Sequence, residues 1–205
     1  MTDRGLLLLH GDADRVVSWA RRGLVAVSVL PLSEGWVAVV PDGPLAAAQP
    51  PYEDALGVLL ARPVPRRLCP ALGLAHVGGR LVVAVTSAAI KTRRMWLAWE
   101  PGVGLIRPGA LPITTVATLA RSVGAPAAVD RASRLLRDAR GDSGQVAGEL
   151  LTVLGLPGVA LAAAPPDDID RMLAAGRRVV PDASGVRRFD RRMSDDSRWR
   201  EEVGA

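Results

Sequence analysis

The fold is decided by residues 5–40, which read GLLLLHGDADRVVSWARRGLVAVSVLPLSEGWVAVV. The run Gly5–Leu9 is wholly apolar, as expected of a strand that is buried on both faces. Asp12 then precedes an amphipathic stretch that ends at Gly23, which is the pattern of a capped helix. Two apolar runs follow on either side of a turn at Ser33–Gly35, and together they predict a hairpin. Residues 5–40 therefore predict a strand, a helix and two strands.

The following segment completes a unit of six elements. Leu56, Leu59 and Leu60 have the i, i+3, i+4 spacing of a buried helix face, and Pro63 marks the end of that helix. Ala71–Val77 has the composition of a further strand. The resulting order, βαββαβ, is that of a ferredoxin-like fold, which predicts neighbouring strands in the order 4-1-3-2.

Three more strands are predicted without a helix between them. Gly78-Gly79 is a two-residue hairpin signal that leads into the strand Leu81–Thr86. Met95–Trp99 and Val103–Arg107 follow, separated by a Pro-Gly turn. Because a crossover helix is missing from this segment, these strands are expected to form an antiparallel meander. The meander extends the predicted strand order to 7-6-5-4-1-3-2.

The remainder of the chain has helical periodicity. We predict helices near 114–123, 127–140, 143–154 and 167–175, with short strands at Val159–Ala163 and Arg177–Val180. The fold class is therefore α+β, and the helices are the expected cover for the second apolar face of the sheet. The predicted divisions are a sheet domain at 1–111, a helical region on the sheet at 112–180, and a charged, mobile tail at 181–205 with a docked turn around Trp199.

Composition limits the class of protein more than it defines the function. The formal net charge is +5, and Lys91 is the only lysine among 26 basic residues. This preference for arginine, with abundant Ala, Gly and Pro, indicates a high-GC genome of the actinobacterial kind. Cys69 is the single cysteine, so an intrachain disulfide is impossible. No apolar run reaches the length of a membrane span, and we expect a soluble, cytoplasmic protein without membrane contact.

The predicted topology gathers basic residues at one end of the sheet. The first strand ends at His10, the fourth begins after a basic loop, and the link from the fifth to the sixth strand returns to the same end. The residues concerned are Arg62, Arg66, Arg67, Lys91, Arg93 and Arg94, with Trp36 close by. Clustered cations raise the local concentration of anions, so this end is a candidate site for a phosphate or a nucleic-acid backbone. The alternative is a set of solvated loops in an arginine-rich protein.

Two further sets of residues could in principle take part in catalysis, one as metal ligands and one as a cysteine nucleophile. His10, Asp12 and Asp14 directly follow a strand, as the ligands of metal sites in enzymes often do. The favoured interpretation is a helix cap at Asp12 with His10 in a loop, because His76 is predicted at the opposite end of the sheet. Cys69 has no predicted histidine beside it, so we expect an inert, partly buried thiol.

The sequence lacks the glycine-rich fingerprints of ATP and dinucleotide sites and the G-x-S-x-G motif of serine hydrolases. The favoured function is therefore a non-enzymatic adaptor or assembly protein, with a protein partner or self-association and without a cofactor. The first alternative is an anion- or nucleic-acid-binding module that uses the basic end. The second alternative is a small metal-dependent enzyme built on His10, Asp12 and Asp14.

Overall fold

The computed structural model describes residues 3–87, 93–107, 109 and 111–204, and for residues 166, 167 and 196–204 it describes the backbone alone. The strands are β1 (Arg4–His10), β2 (Val27–Pro31), β3 (Trp36–Pro41), β4 (Ala71–Val77), β5 (Arg80–Thr86), β6 (Arg94–Glu100), β7 (Gly104–Ile106) and β8 (Arg177–Val179). The α-helices are α1 (Ala13–Arg21), α2 (Ala55–Ala61), α3 (Val116–Ser122), α4 (Val129–Asp138), α5 (Ser143–Leu154), α6 (Val159–Ala163), α7 (Pro166–Leu173) and α8 (Ala183–Gly204).

The strands described form one antiparallel sheet in the order β7-β6-β5-β4-β1-β3-β2-β8. The predicted meander is confirmed, because β4, β5, β6 and β7 pair consecutively. The short strand predicted near residue 177 is also present, and it pairs with β2 through Val27 and Val179. The fold is therefore α+β with a mainly helical C-terminal part.

The four leucines of β1 explain why this strand lies at the centre of the sheet. Leu6 and Leu8 face the core under the C-terminal helices, whereas Leu7 and Leu9 face the core under α1 and α2. All four side chains are buried. A strand that is apolar on both faces is stable only when both faces are covered, and the helices of the second half supply the second cover as predicted.

Local signals set the limits of the helices. The Asp12 carboxylate accepts the Arg15 backbone N–H at 3.0 Å, and Asp54 accepts those of Leu56 and Gly57 at 3.1 and 3.0 Å. Asp142 begins α5 with a capping box that includes the Gln145 side chain. These carboxylates satisfy backbone donors that have no partner within the helix. The interpretation of Asp12 as a cap is thus confirmed.

Two predictions for the C-terminal half need correction. Val159–Ala163 was predicted as a strand and is the helix α6, because five apolar residues do not reveal a period on their own. A Cβ atom on Gly148 would lie 3.1 Å from the Ala163 Cβ, so the glycine lets α6 approach α5 closely. In addition, the predicted helix at 127–140 begins with a short 3-10 turn at Pro126–Ala128, before α4.

The predicted tail at 181–205 contains α8, a helix of 22 residues. The sequence does not reveal this helix, because few of its residues are apolar. The helix is attached at its start, where the Asp182 backbone N–H donates to the Arg21 carbonyl at 2.8 Å, and the Phe189 ring meets the Tyr52 ring. Mobility of this segment stays a prediction. The turn predicted around Trp199 is wrong, because the backbone there is part of α8, and docking of the Trp199 side chain lies outside the described side chains. None of the helices described has both the length and the apolar character needed to cross a membrane.

Candidate functional site

The end of β1 at His10 is a meeting point of three segments. The His10 backbone N–H donates to the Pro70 carbonyl at 3.2 Å, and that of Gly11 donates to Gly35 at 2.8 Å. The Trp36 ring lies edge-on to the His10 ring, with 5.3 Å between the ring centroids. The structure therefore brings the loop before β4 and the start of β3 to the same end of the sheet.

Four arginines lie on the segments that converge here, and we call them the basic end: Arg66, Arg67, Arg93 and Arg94. Arg66 and Arg67 are exposed on a 3-10 helix that spans Arg66–Leu68. Arg93 is also exposed, whereas Arg94 is half-buried and donates from Nε to the Thr86 hydroxyl at 3.3 Å. Lys91, which was also predicted to belong to this cluster, lies outside the described residues.

Arg94 is the member of the basic end with the most unusual surroundings. Its Nη1 atom is buried and has no hydrogen-bond partner among the residues described. Burial lowers the pKa of the guanidinium to about 10, so the side chain still carries a full charge at neutral pH. A buried charged donor is costly unless it is paired. An anion that reached this nitrogen would satisfy the donor.

The structure places Arg62 away from the basic end, contrary to the prediction. Its Nη2 atom donates to the Trp19 carbonyl, and its guanidinium carbon lies 4.0 Å from the centroid of the Trp19 ring. These contacts lie at the last turn of α1, whereas the basic end lies beyond the first turn. The carbonyls at a helix C-terminus attract a cation, and α2 runs close enough for Arg62 to reach them.

The three candidate metal ligands have separate partners. Asp12 caps α1, Asp14 lies 3.3 Å from Nη1 of Arg177, and His10 contacts Trp36. Within the residues described, no group of three or more His, Cys, Asp or Glu side chains is arranged to hold a metal ion. The predicted cluster is therefore dispersed, because the helical turn after β1 directs Asp12 to the backbone and Asp14 to β8.

The Cys69 side chain is buried and its thiol lies 3.6 Å from the Pro65 carbonyl, to which it can donate. Burial raises the pKa of this thiol, and the positive charge of Arg94 opposes that effect. The protonated thiol is a poor nucleophile. These contacts support the expectation of an inert cysteine.

A buried polar pair that sequence analysis missed lies at the opposite end of the sheet. His76 pairs with Arg4 across β1 and β4, and its Nδ1 atom lies 3.1 Å from the Ser143 hydroxyl. Burial and the charge of Arg4 lower the pKa of His76 to about 4, against opposing effects of Asp142 and a backbone hydrogen bond with Ala162. The ring is therefore neutral at physiological pH. The available signal was the alternation Leu72, Leu74, His76, which directs the histidine to the covered face.

Large apolar side chains are exposed in and around β7, which is the edge strand at the opposite side of the sheet from β8. We call this set the apolar edge: Val103, Leu105, Leu111 and Ile113, which are 43–66% exposed. Leu105 pairs with Trp99 across β6 and β7, and Ile113 forms a bridge with Trp96 on the same side of β6. In the part of the chain that the structure describes, no strand pairs with the outer side of β7.

Comparisons of this chain with protein-family models, with curated proteins and with solved structures give no match. Function is therefore inferred from the residues and contacts of the chain itself. The basic end and the apolar edge are the two surfaces that bear on the functions expected from the sequence.

Proposed function

We propose that the protein is a non-enzymatic adaptor that binds an extended segment of a partner protein along the apolar edge. The supporting observation is that, among the described residues, no strand pairs with the outer side of β7, together with the exposed side chains of Val103, Leu105 and Ile113. An open strand edge offers backbone donors and acceptors to a further strand, and neighbouring apolar side chains add specificity.

The two outer strands of the sheet differ in a way that favours this proposal. β8 carries the exposed residues Arg177 and Arg178, which pair with Asp14 and Asp42. Charged side chains of this kind are a common protection against pairing with another strand. The side chain of Leu105, at the centre of β7, is instead apolar and 46% exposed.

The charges beside β7 define the chemistry of the partner. Arg107 and Arg137 are exposed, and a Cβ atom on Gly104 would lie 4.0 Å from the Arg137 carbonyl, which places α4 beside the strand. The nearby carboxylate of Glu100 is already paired with Arg80 at 3.1 Å. We therefore expect an extended segment with alternating apolar residues and flanking acidic residues.

The strand order β4-β1-β3-β2 supports a ferredoxin-like interpretation of the first six elements, to which β5, β6 and β7 add the binding edge. That topology hosts many unrelated functions, so it does not by itself favour one. The adaptor proposal depends on the edge and not on the name of the fold.

Site-specific photo-crosslinking in the native host tests the proposal. A benzophenone amino acid at Leu105 is expected to capture a partner, whereas the same probe at Val180, which follows β8 and is 63% exposed, is not. The captured protein, once purified, should bind the wild-type chain and bind the Leu105→Asp variant at least about tenfold more weakly, because the charge is desolvated on binding.

Three results would argue against the adaptor. Identical adducts at positions 105 and 180 would indicate non-specific capture, and equal affinity of the Leu105→Asp variant would place the contact elsewhere. An adduct that contains only a second copy of this chain would replace the adaptor with a self-assembling protein.

A second candidate function is the binding of an anion or a nucleic-acid backbone at the basic end. The observation that favours it is the buried Nη1 atom of Arg94, which has no hydrogen-bond partner among the described residues and lies on the same end of the sheet as three exposed arginines. Binding of this kind weakens as salt rises, because bound counterions are released from the nucleic acid. Trp36 lies near this site, but its side chain is buried, so we do not expect it to contact the nucleic acid.

Retention on heparin and on duplex DNA tests this candidate. Replacement of Arg66, Arg67, Arg93 and Arg94 by Ala should abolish a salt-sensitive affinity. A control variant with the same loss of charge replaces four exposed arginines of α3, of α4 and of the residues just after α4: Arg121, Arg131, Arg134 and Arg140. Equal losses in both variants would show that net charge, and not the basic end, causes the retention.

A further inference from the structure

A cavity of about 500 Å³ lies between α1, α2 and α8, on the face of the sheet opposite the C-terminal core. Apolar and aromatic side chains line most of it, including Trp19, Val58, Leu59, Tyr52 and Phe189. Its volume is within the range of about 300–1,000 Å³ that is typical of sites for small molecules. The cavity is far larger than a single water molecule requires.

The helix α8 forms one wall of this cavity. The Phe189 and Tyr52 rings meet edge-to-face, with their centroids 5.1 Å apart. Gly185 also lines the cavity, and a Cβ atom at that position would contact nothing within 4 Å. The first two turns of α8 thus border the cavity, with Phe189 in contact with Tyr52 and open space beside Gly185.

The charged groups on the lining are unbalanced. Arg22 and Arg62 line the cavity, and no carboxylate pairs with either among the residues described. Arg62 already donates to the Trp19 and Ala20 carbonyls, so Arg22 is the principal partner for an anion. The Asp54 carboxylate also lines the cavity, but both of its oxygens accept backbone N–H groups of α2. Burial and the charge of Arg22 lower the pKa of Arg62 to about 10, so the site is positive at neutral pH.

We propose that this cavity binds a small amphipathic anion, with its apolar body between Trp19, Val58 and Phe189 and its carboxylate or sulfonate group beside Arg22 and Arg62. Binding of the apolar body removes the apolar side chains of the cavity from contact with water, and the anionic group balances the positive charge of the guanidinium groups. The site lies on α1, α2 and α8, so it is independent of the apolar edge and of the adaptor proposal.

Two matched fluorescent probes test separately whether the cavity binds the apolar body and whether it binds the anionic group. The anion 8-anilino-1-naphthalenesulfonate is expected to bind the full chain with one-to-one stoichiometry. N-phenyl-1-naphthylamine has the same aromatic body without the sulfonate. It is expected to bind about tenfold more weakly, because it cannot form the charge-assisted hydrogen bond that the sulfonate makes. Equal affinity for the two probes would overturn the assignment of an anion.

Three variants locate the site. Val58→Phe should weaken binding of both probes, because the larger ring occupies part of the space that their apolar body needs. Arg22→Gln should weaken the sulfonate alone by several-fold. Arg121→Gln, on α3, is the matched control and should bind as the wild type does. Each variant is checked by its thermal midpoint and circular dichroism, because partly folded chains also bind the sulfonate probe. Binding by a folded Val58→Phe variant that equals the wild type would overturn the location.

Discussion

The Nδ1 atom of His76 lies 3.1 Å from the Ser143 hydroxyl oxygen, and this contact joins the last part of β4 to the first turn of α5. Both residues are buried, at 7% and 5% exposure. The core between the sheet and its C-terminal cover is largely apolar, and apolar contacts tolerate small shifts of one element along another. A buried polar pair is directional, so it defines where α5 begins relative to β4.

Acid should destabilise the protein through His76. Its pKa is about 4 in the folded chain against 6.5 for an unperturbed histidine, so the unfolded state binds more protons between these values. The stabilisation is fully present above about pH 6.5 and is lost as the pH falls towards 4. We expect the free energy of unfolding in urea to be about 2 kcal/mol lower at pH 5 than at pH 7.

Two variants assign this pH dependence to a residue. His76→Gln should remove most of the difference between pH 5 and pH 7, whereas His10→Gln should retain it because His10 is exposed. A His76→Gln variant with the full pH dependence of the wild type would contradict the assignment.

Removal of the Ser143 hydroxyl should destabilise the chain without unfolding it. The Ser143→Ala variant leaves the Nδ1 atom of His76 without its partner, and an unsatisfied buried polar group costs about 1–3 kcal/mol. The exposed Ser33 provides the control, since Ser33→Ala should change the free energy of unfolding by less than about 0.5 kcal/mol. Equal stability of the two variants would show that the buried contact contributes little.

The sequence predicted the parts of the fold that depend on local pattern. The leucines of β1 reveal burial on both faces because adjacent side chains in a strand point to opposite sides. The helix α6 was missed because its five residues fit either period, and α8 was missed because its few apolar contacts lie with residues distant in sequence. Arg62 was misplaced for a related reason: the carbonyls of α1 that bind it come from a segment more than forty residues away.

The surfaces proposed for binding differ in how far sequence could reveal them. The exposure of the apolar edge depends on how distant parts of the chain pack around β7, including α4, which lies beside Gly104. The cavity under α8 needs three separate segments to meet around Trp19, Tyr52 and Phe189. Contacts between segments that are distant in sequence do not produce a periodic pattern of apolar residues.

Residues of the apolar edge should matter for binding and not for stability. Leu8, in β1, is fully buried, and Leu8→Ala should lower the free energy of unfolding by about 2–5 kcal/mol. Leu105→Asp, on the exposed edge, should change it by less than about 0.5 kcal/mol. Urea titrations of both variants measure the difference. A strongly destabilised Leu105→Asp chain would mean that this side chain belongs to the core, and the loss of partner binding would then have a structural cause.

The attachment of α8 through Phe189 should be detectable by hydrogen exchange. An edge-to-face aromatic pair contributes about 0.5–1.5 kcal/mol beyond the area that it buries. Phe189→Ala should therefore raise the exchange rates of backbone amides in 183–195 by about tenfold, since 1.4 kcal/mol corresponds to a factor of ten. Exchange in β1 and β4 should stay unchanged, because their cores do not include α8.

A control and a ligand make this last experiment decisive. Arg192→Ala, at an exposed position of α8, should exchange as the wild type does. The sulfonate probe should slow exchange in 183–195 of the wild type and should do so much less in Phe189→Ala, because the bound anion and the Phe189 contact stabilise the same docked position of the helix. If α8 exchanges equally fast in the wild type and in Phe189→Ala, the aromatic contact does not hold the helix and the cavity lacks this wall in solution.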